Sequence, residues 1–125
     1  MSAKPAAPAL VVYTYASCDT CRRATRWLTQ RGLTFVERPI RETPPTTAEL
    51  ARALRALDGD RGRLFNRSGR DYREQKLAEQ LPGWSEAETL RRLAANGNLV
   101  KRPLLLGADV VLVGFDEAAW AAALG

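Results

Sequence analysis

The stretch YTYASCDTCRRATRWL, residues 13–28, holds both cysteines of the chain, spaced as Cys18-x-x-Cys21, with Arg22, Arg23 and Arg26 close behind. Its surroundings decide the fold. Upstream, ALVVYTY (9–15) is β-branched and aromatic and reads as a short buried strand. Downstream, Ser17 or Cys18 can cap a helix from about Asp19 to Arg31. Cys21, Ala24, Trp27 and Leu28 then share one apolar stripe at helical spacing. Gly32 suits a left-handed helix cap, and LTFVER (33–38) reads as a second strand. This is a β-α-β unit. Its strands must be parallel and its helix a right-handed crossover. The two cysteines fall at the joint between first strand and first helix.

Working outward, Pro39, Pro44 and Pro45 forbid a continuous helix after the second strand. TTAELARALRAL (46–57) is a helix capped by Thr46 or Thr47, with Glu49 placed to complete a capping box. The Gly- and Arg-rich stretch 58–73 reads as a loop with a short helical turn. EQKLAEQ (74–80) reads as helical up to Pro82-Gly83. Ser85 caps a helix over 86–96 with Leu90, Leu93 and Ala94 on its apolar face. PLLLGA (103–108) and DVVLVGF (109–115) read as two strands in a hairpin, and Asp116 caps a last helix to 124. The order β-α-β, helical insertion, β-β-α is an α/β, thioredoxin-like arrangement: one four-stranded mixed sheet flanked by helices. Residues 1–8, rich in Pro and Ala, are expected as a flexible tail. Residues 9–125 are expected as one domain with its helical insertion at about 44–98.

Composition narrows the chemistry. With 125 residues, 46% of them hydrophobic, the chain can bury a core. It has no histidine, which excludes a hydrolase with a Ser-His or Cys-His pair. Two cysteines and no histidine also fall short of the four ligands of a structural zinc. No apolar run reaches the roughly 18 residues a membrane span needs. The N-terminal segment makes a poor export signal. Pro5, Pro8 and Thr14 interrupt it, and Tyr15 stands where lipid attachment at Cys18 would need an aliphatic residue. A cytoplasmic protein is expected, whose thiols stay reduced unless they are at work. The net charge of +5 reflects a chain rich in Ala and Arg throughout rather than a basic tract. Nothing resembles a base-reading motif, so no specific nucleic acid is expected.

A thiol at a helix N-terminus meets unpaired N–H groups and about half a positive charge, both of which favour its anion. Cys18 is therefore the predicted nucleophile, with Arg22 and Arg23 adding positive charge one turn on. Cys21, one turn away, is within disulfide reach and lies on the buried stripe. It is the predicted resolving thiol, more buried and less acidic than Cys18.

These residues carry a resemblance. YTYASCDTCRRATRWLTQRGLTFVERPI (13–40) resembles the start of the ArsC/Spx family, which spans arsenate reductases of the glutaredoxin-coupled lineage, Spx-type transcription regulators and their relatives. LVKRPLLL (99–106) resembles the family's Arg-Pro motif. LFNRSGRDYR (64–73) and LVGF (112–115) resemble its central segment and final strand. The resemblance covers about residues 10–120 and implies a thioredoxin-like fold with a helical insertion. It makes Cys18 the nucleophile, Arg102 the anion-binding arginine and Pro103 the cis proline beside the thiol. Backbone N–H groups of the 19–22 turn, with Thr20 and Arg22, would cradle the oxyanion. Two further family arginines are absent: Asn66 stands at one position, beside Arg67, and residues 111–113 hold none. Arg67, Arg70 or Arg73 are the candidate substitutes. The implied activity is thiol-dependent reduction of arsenate to arsenite by a protein with no bound cofactor. Thioredoxin, or glutathione with glutaredoxin, would be the external reductant, and a monomer is expected. Two alternatives stay open. One is a thiol oxidoreductase acting on glutathione or protein disulfides. The other is a Spx-like redox sensor that binds RNA polymerase.

Overall fold

The computed structural model describes residues 10–125. The expected tail at 1–8 lies outside them. Strand β1 (Leu10–Thr14) is buried at every position except Val11, because it runs between two neighbours. On one side β2 (Phe35–Pro39) is parallel to it, with Val12 opposite Glu37; on the other β3 (Leu104–Gly107) is antiparallel, with Val12 opposite Leu105. Strand β4 (Val111–Val113) pairs antiparallel with β3, so the sheet order is β2-β1-β3-β4. Helix α1 (Asp19–Gln30) connects β1 to β2. The fold is α/β and thioredoxin-like, as the motif order implied.

Alternation along the strands divides the core in two. Leu10, Val12 and Leu105 face Ala24, Trp27 and Leu28 of α1, with Trp120 of the C-terminal helix completing that side. Tyr13, Leu104 and Leu106 face the opposite way. There they meet Leu50, Ala53 and Leu54 of α2 (Thr47–Ala56) and Leu90 and Leu93 further along the chain. Burying each such leucine contributes roughly 1.5–3 kcal/mol. Both faces of this sheet are therefore occupied, which explains why β3 reads as an unbroken apolar run.

Helix ends follow the local chemistry. After α1, Gly32 takes a left-handed conformation (φ +73°). Its N–H and that of Leu33 then reach the Thr29 and Leu28 carbonyls, closing the helix end. Thr46 and Glu49 form the reciprocal capping box on α2. Between α2 and β3 lie a 3-10 turn (Arg61–Leu64), α3 (Arg70–Glu74), α4 (Leu77–Gln80), another 3-10 turn (Leu81–Gly83), α5 (Glu86–Ala95) and a third such turn (Gly97–Leu99). Ser85 caps α5, and Asp116 caps α6 (Glu117–Leu124). The 74–80 segment differs from its expected single helix. The chain breaks at Lys76, which adopts a left-handed conformation (φ +53°). Tyr72 and Leu77 both enter the core, yet five residues of helix would set them about 140° apart. The break turns the next segment so that Leu77 also faces inward.

Two long-range features shape the ground beneath the Arg-Pro segment. Phe65 and Val100 form an isolated antiparallel bridge, flanked by Asn66 N–H to Leu99 O (2.7 Å) and Lys101 N–H to Leu64 O (2.8 Å). The 64–66 strand of loop is thus tied alongside residues 99–101. Gly97 packs against the chain that leaves β2, and a Cβ there would stand 1.8 Å from the Ile40 carbonyl oxygen. Only glycine permits that approach.

Candidate active site

The chain leaves β1 at Thr14 and turns through Tyr15, Ala16 and Ser17. The turn closes by the Cys18 N–H bonding to Tyr15 O at 3.0 Å. Cys18 then stands as the N-cap of α1 in extended conformation, and its Sγ accepts the Cys21 N–H at 3.2 Å. A sulfur therefore occupies the place where Ser or Asp usually caps, and it receives a backbone donor and the positive end of the helix. Cys18 is half-buried, whereas Cys21 is only 1% exposed, on the stripe with Ala24 and Leu28. Both are free thiols.

Burial pushes the Cys21 thiol up to about 12, helped by the Cys18 sulfur as hydrogen-bond acceptor. The Tyr15 backbone and the Arg102 charge pull the other way, more weakly. Arg102 thus acts electrostatically on Cys21 from across 81 residues of sequence. Its peptide bond to the buried Pro103 is cis. Its guanidinium lies 4.6 Å over the Tyr15 ring, and its Nη1 is buried with no hydrogen-bond partner. A buried guanidinium nitrogen without an acceptor is costly, so its partner is to be sought in a bound molecule. The Arg102 side chain lines a cleft of about 290 Å³ together with Tyr15, Arg41, Asn66, Arg70 and Asp71; neither cysteine is among its lining residues.

Thr20 is half-buried in the first turn of α1. Arg22 is engaged locally, pairing with Asp19 and donating to the Ala16 carbonyl at 2.6 Å, so it braces the Cys18 turn. Arg23 leans on the Phe115 ring, 5.7 Å from its centroid. Arg67 does not line the Arg102 cleft. It opens on a neighbouring one with Arg63, Ser68 and Lys101, because the 66–70 loop directs Asn66 and Arg70 to one side and Arg67 to the other. Of the candidate substitutes, only Arg70 faces Arg102's cleft. Arg41 was missed by sequence reasoning. Its one visible signal was its place just past the second strand, at the same end of a parallel pair as Cys18. Among the described residues, no group of three or more His, Cys, Asp or Glu side chains could hold a metal. Nor, among them, is any helix long and apolar enough to cross a membrane.

A thioredoxin-like sheet whose first strand leads into a Cys-x-x-Cys helix cap, and whose adjacent third strand begins just after an Arg–cis-Pro segment, defines a class of thiol-bearing proteins. Residues 13–123 match the ArsC family, and the chain belongs to that family. YusI of Bacillus subtilis strain 168, an uncharacterized protein, is 43% identical over 108 residues, which cover 86% of this chain and 92% of YusI. The global transcriptional regulator Spx of the same organism is 26% identical over 108 residues, covering 86% and 81%. The crystal structure of a possible arsenate reductase from Streptococcus mutans UA159 superposes with a TM-score of 0.86 at 30% identity, covering 94% of this chain and 99% of that one.

Proposed function

We propose that this protein is a thiol-dependent reductase of arsenate, with Cys18 as nucleophile and Cys21 as resolving thiol. The observation that carries this reading is the unpartnered, buried Nη1 of Arg102, whose guanidinium charge is felt by Cys21 of a pair at a helix N-terminus. Arsenate is a tetrahedral dianion. A guanidinium fork matches its oxygens, and fixed positive charge offsets its repulsion of a thiolate.

In the proposed reaction the Cys18 thiolate attacks arsenic. An S–As bond forms, and one arsenate oxygen leaves as water after protonation from solvent. Cys21 then loses its proton and attacks Cys18 Sγ. The S–S bond forms and the S–As bond breaks, its electron pair staying on arsenic, which departs as arsenite. Two thiols are oxidised to a disulfide while As(V) is reduced to As(III). Thioredoxin, or glutathione with glutaredoxin, reduces the disulfide for the next cycle. Two of the influences that keep Cys21 protonated come from the Cys18 sulfur as acceptor and as charge.

The test is arsenate-dependent NADPH oxidation coupled through thioredoxin or glutaredoxin. Turnover that disappears in Cys18→Ser supports the reading, and no turnover with either reductant system removes it. A second reading is supported by the Spx relatives: the same cysteine pair would act as a redox sensor on an RNA polymerase-binding regulator. Capture of polymerase that depends on the Cys18–Cys21 oxidation state, together with no arsenate turnover, would favour it.

A further inference from the structure

The cleft at Arg102 holds three arginines, and they are not equivalent. Arg70 lies 4.0 Å from Glu74, its own helical neighbour. Arg102 has an unpartnered nitrogen. Arg41 has no carboxylate within ion-pair reach among the described residues. Its Nη1 donates to the Tyr15 hydroxyl at 2.9 Å, and its guanidinium carbon is 5.2 Å from the Tyr15 ring centroid. Arg102 rests on the same ring at 4.6 Å. One aromatic side chain therefore holds two cations on one cleft, and the Tyr15 backbone carbonyl anchors the Cys18 turn. The carboxylate in the cleft, Asp71, is already engaged: its Oδ2 accepts from Asn96 Nδ2 (3.1 Å) and Asn98 Nδ2 (3.4 Å).

We propose that Arg41 is the second cation of the oxyanion site, a substrate-binding residue, and that Tyr15 is the positioning residue which presents Arg41 and Arg102 together. Two like charges gathered on one ring repel each other, and a tetrahedral dianion bound between them offsets that repulsion by supplying oxygens to both. Tyr15 offers a stiff platform with few rotatable bonds, so the pair is preorganised. Arg41 thus adds a second positive charge to the cleft from just past the end of β2, while Arg102 reaches it from just before β3.

This inference rests on the oxyanion-reductase reading, and its test separates the two. In the Cys21→Ser background, without reductant, iodoacetamide alkylates Cys18 at a rate that arsenate should slow, by occupancy or by adduct formation. Arg41→Ala should raise the half-protecting arsenate concentration on the order of tenfold. Arg41→Lys should recover part of the loss. Tyr15→Phe, which keeps the ring but drops the hydroxyl, should show a smaller rise, and Arg55→Ala on exposed α2 surface should show none. In coupled turnover of the otherwise unaltered protein, Arg41→Ala should raise KM with little change in kcat. Protection unchanged in Arg41→Ala overturns the proposal and leaves the reductase reading standing. Protection that depends on Arg41 without any turnover keeps the anion site and removes the reductase. No protection at all removes both.

Discussion

At Cys21, burial is the largest of the influences that push the thiol up to about 12 from an ordinary 9.0. An acid whose folded value is raised favours the folded state while it stays protonated. The stability it adds is complete below 9.0 and is lost as pH rises from there toward 12. The buried Tyr13 hydroxyl is shifted in the same direction, mainly by burial and then by Glu49, so alkaline loss has at least two sources. Cys21→Ala should flatten part of the slope. Urea midpoints followed across that window should fall less steeply for the variant than for the unaltered protein. For turnover, Cys18→Ser should be inactive with every reductant. Cys21→Ser should fail with thioredoxin alone and be rescued only where glutathione attacks the Cys18 adduct in its place. The different placement of these thiols was legible from spacing alone: residue 18 caps, residue 21 lies on the stripe with Ala24 and Leu28. Arg41 was not legible. Its contact with Tyr15 spans 26 residues and arises only because β1 and β2 lie side by side and end together.

At the scale of elements, the caps were readable because each rests on a few neighbouring residues: Thr46 with Glu49, Ser85 with Glu88, Asp116 with Ala119. The break at Lys76 was not, because EQKLAEQ has the composition of one helix, and the need to bury Tyr72 and Leu77 together overrides propensity. Two contacts between elements lend themselves to measurement. Tyr13 Oη donates to Glu49 Oε1 (2.8 Å) and accepts from Arg38 Nη1 (3.0 Å), joining β1, β2 and α2. Tyr13→Phe should cost about 1 kcal/mol in chemical denaturation, because Glu49 keeps its capping bond to Thr46. Gly97→Ala forces a methyl onto the Ile40 carbonyl, and neither backbone is free to move. A loss of about 3 kcal/mol is expected, read as a lowered urea midpoint with an unchanged m value.

Across the whole molecule, a chain of net charge +5 gathers Arg41, Arg70 and Arg102 at one cleft. Attraction of a dianion to such a site weakens as salt shortens the screening length to about 8 Å at physiological strength. The KM for arsenate should therefore rise with ionic strength, and the rise should be smaller in Arg41→Ala, which has less charge to screen. The architecture explains how distant segments meet: the strand order places β3, preceded by Arg102-Pro103, directly beside β1, followed by Cys18. The family resemblance, which put Pro103 beside the thiol, made that adjacency readable. The 66–70 loop was not, and it sends Arg67 into the neighbouring cleft while leaving Asn66 facing Arg102. The most direct test of the account is a single exposure of fully reduced protein to arsenate with no external reductant, followed by intact mass and arsenite determination. One arsenite per chain, with the mass lowered by two hydrogens and Cys18 joined to Cys21, is the predicted result. Two free thiols and no arsenite would contradict it.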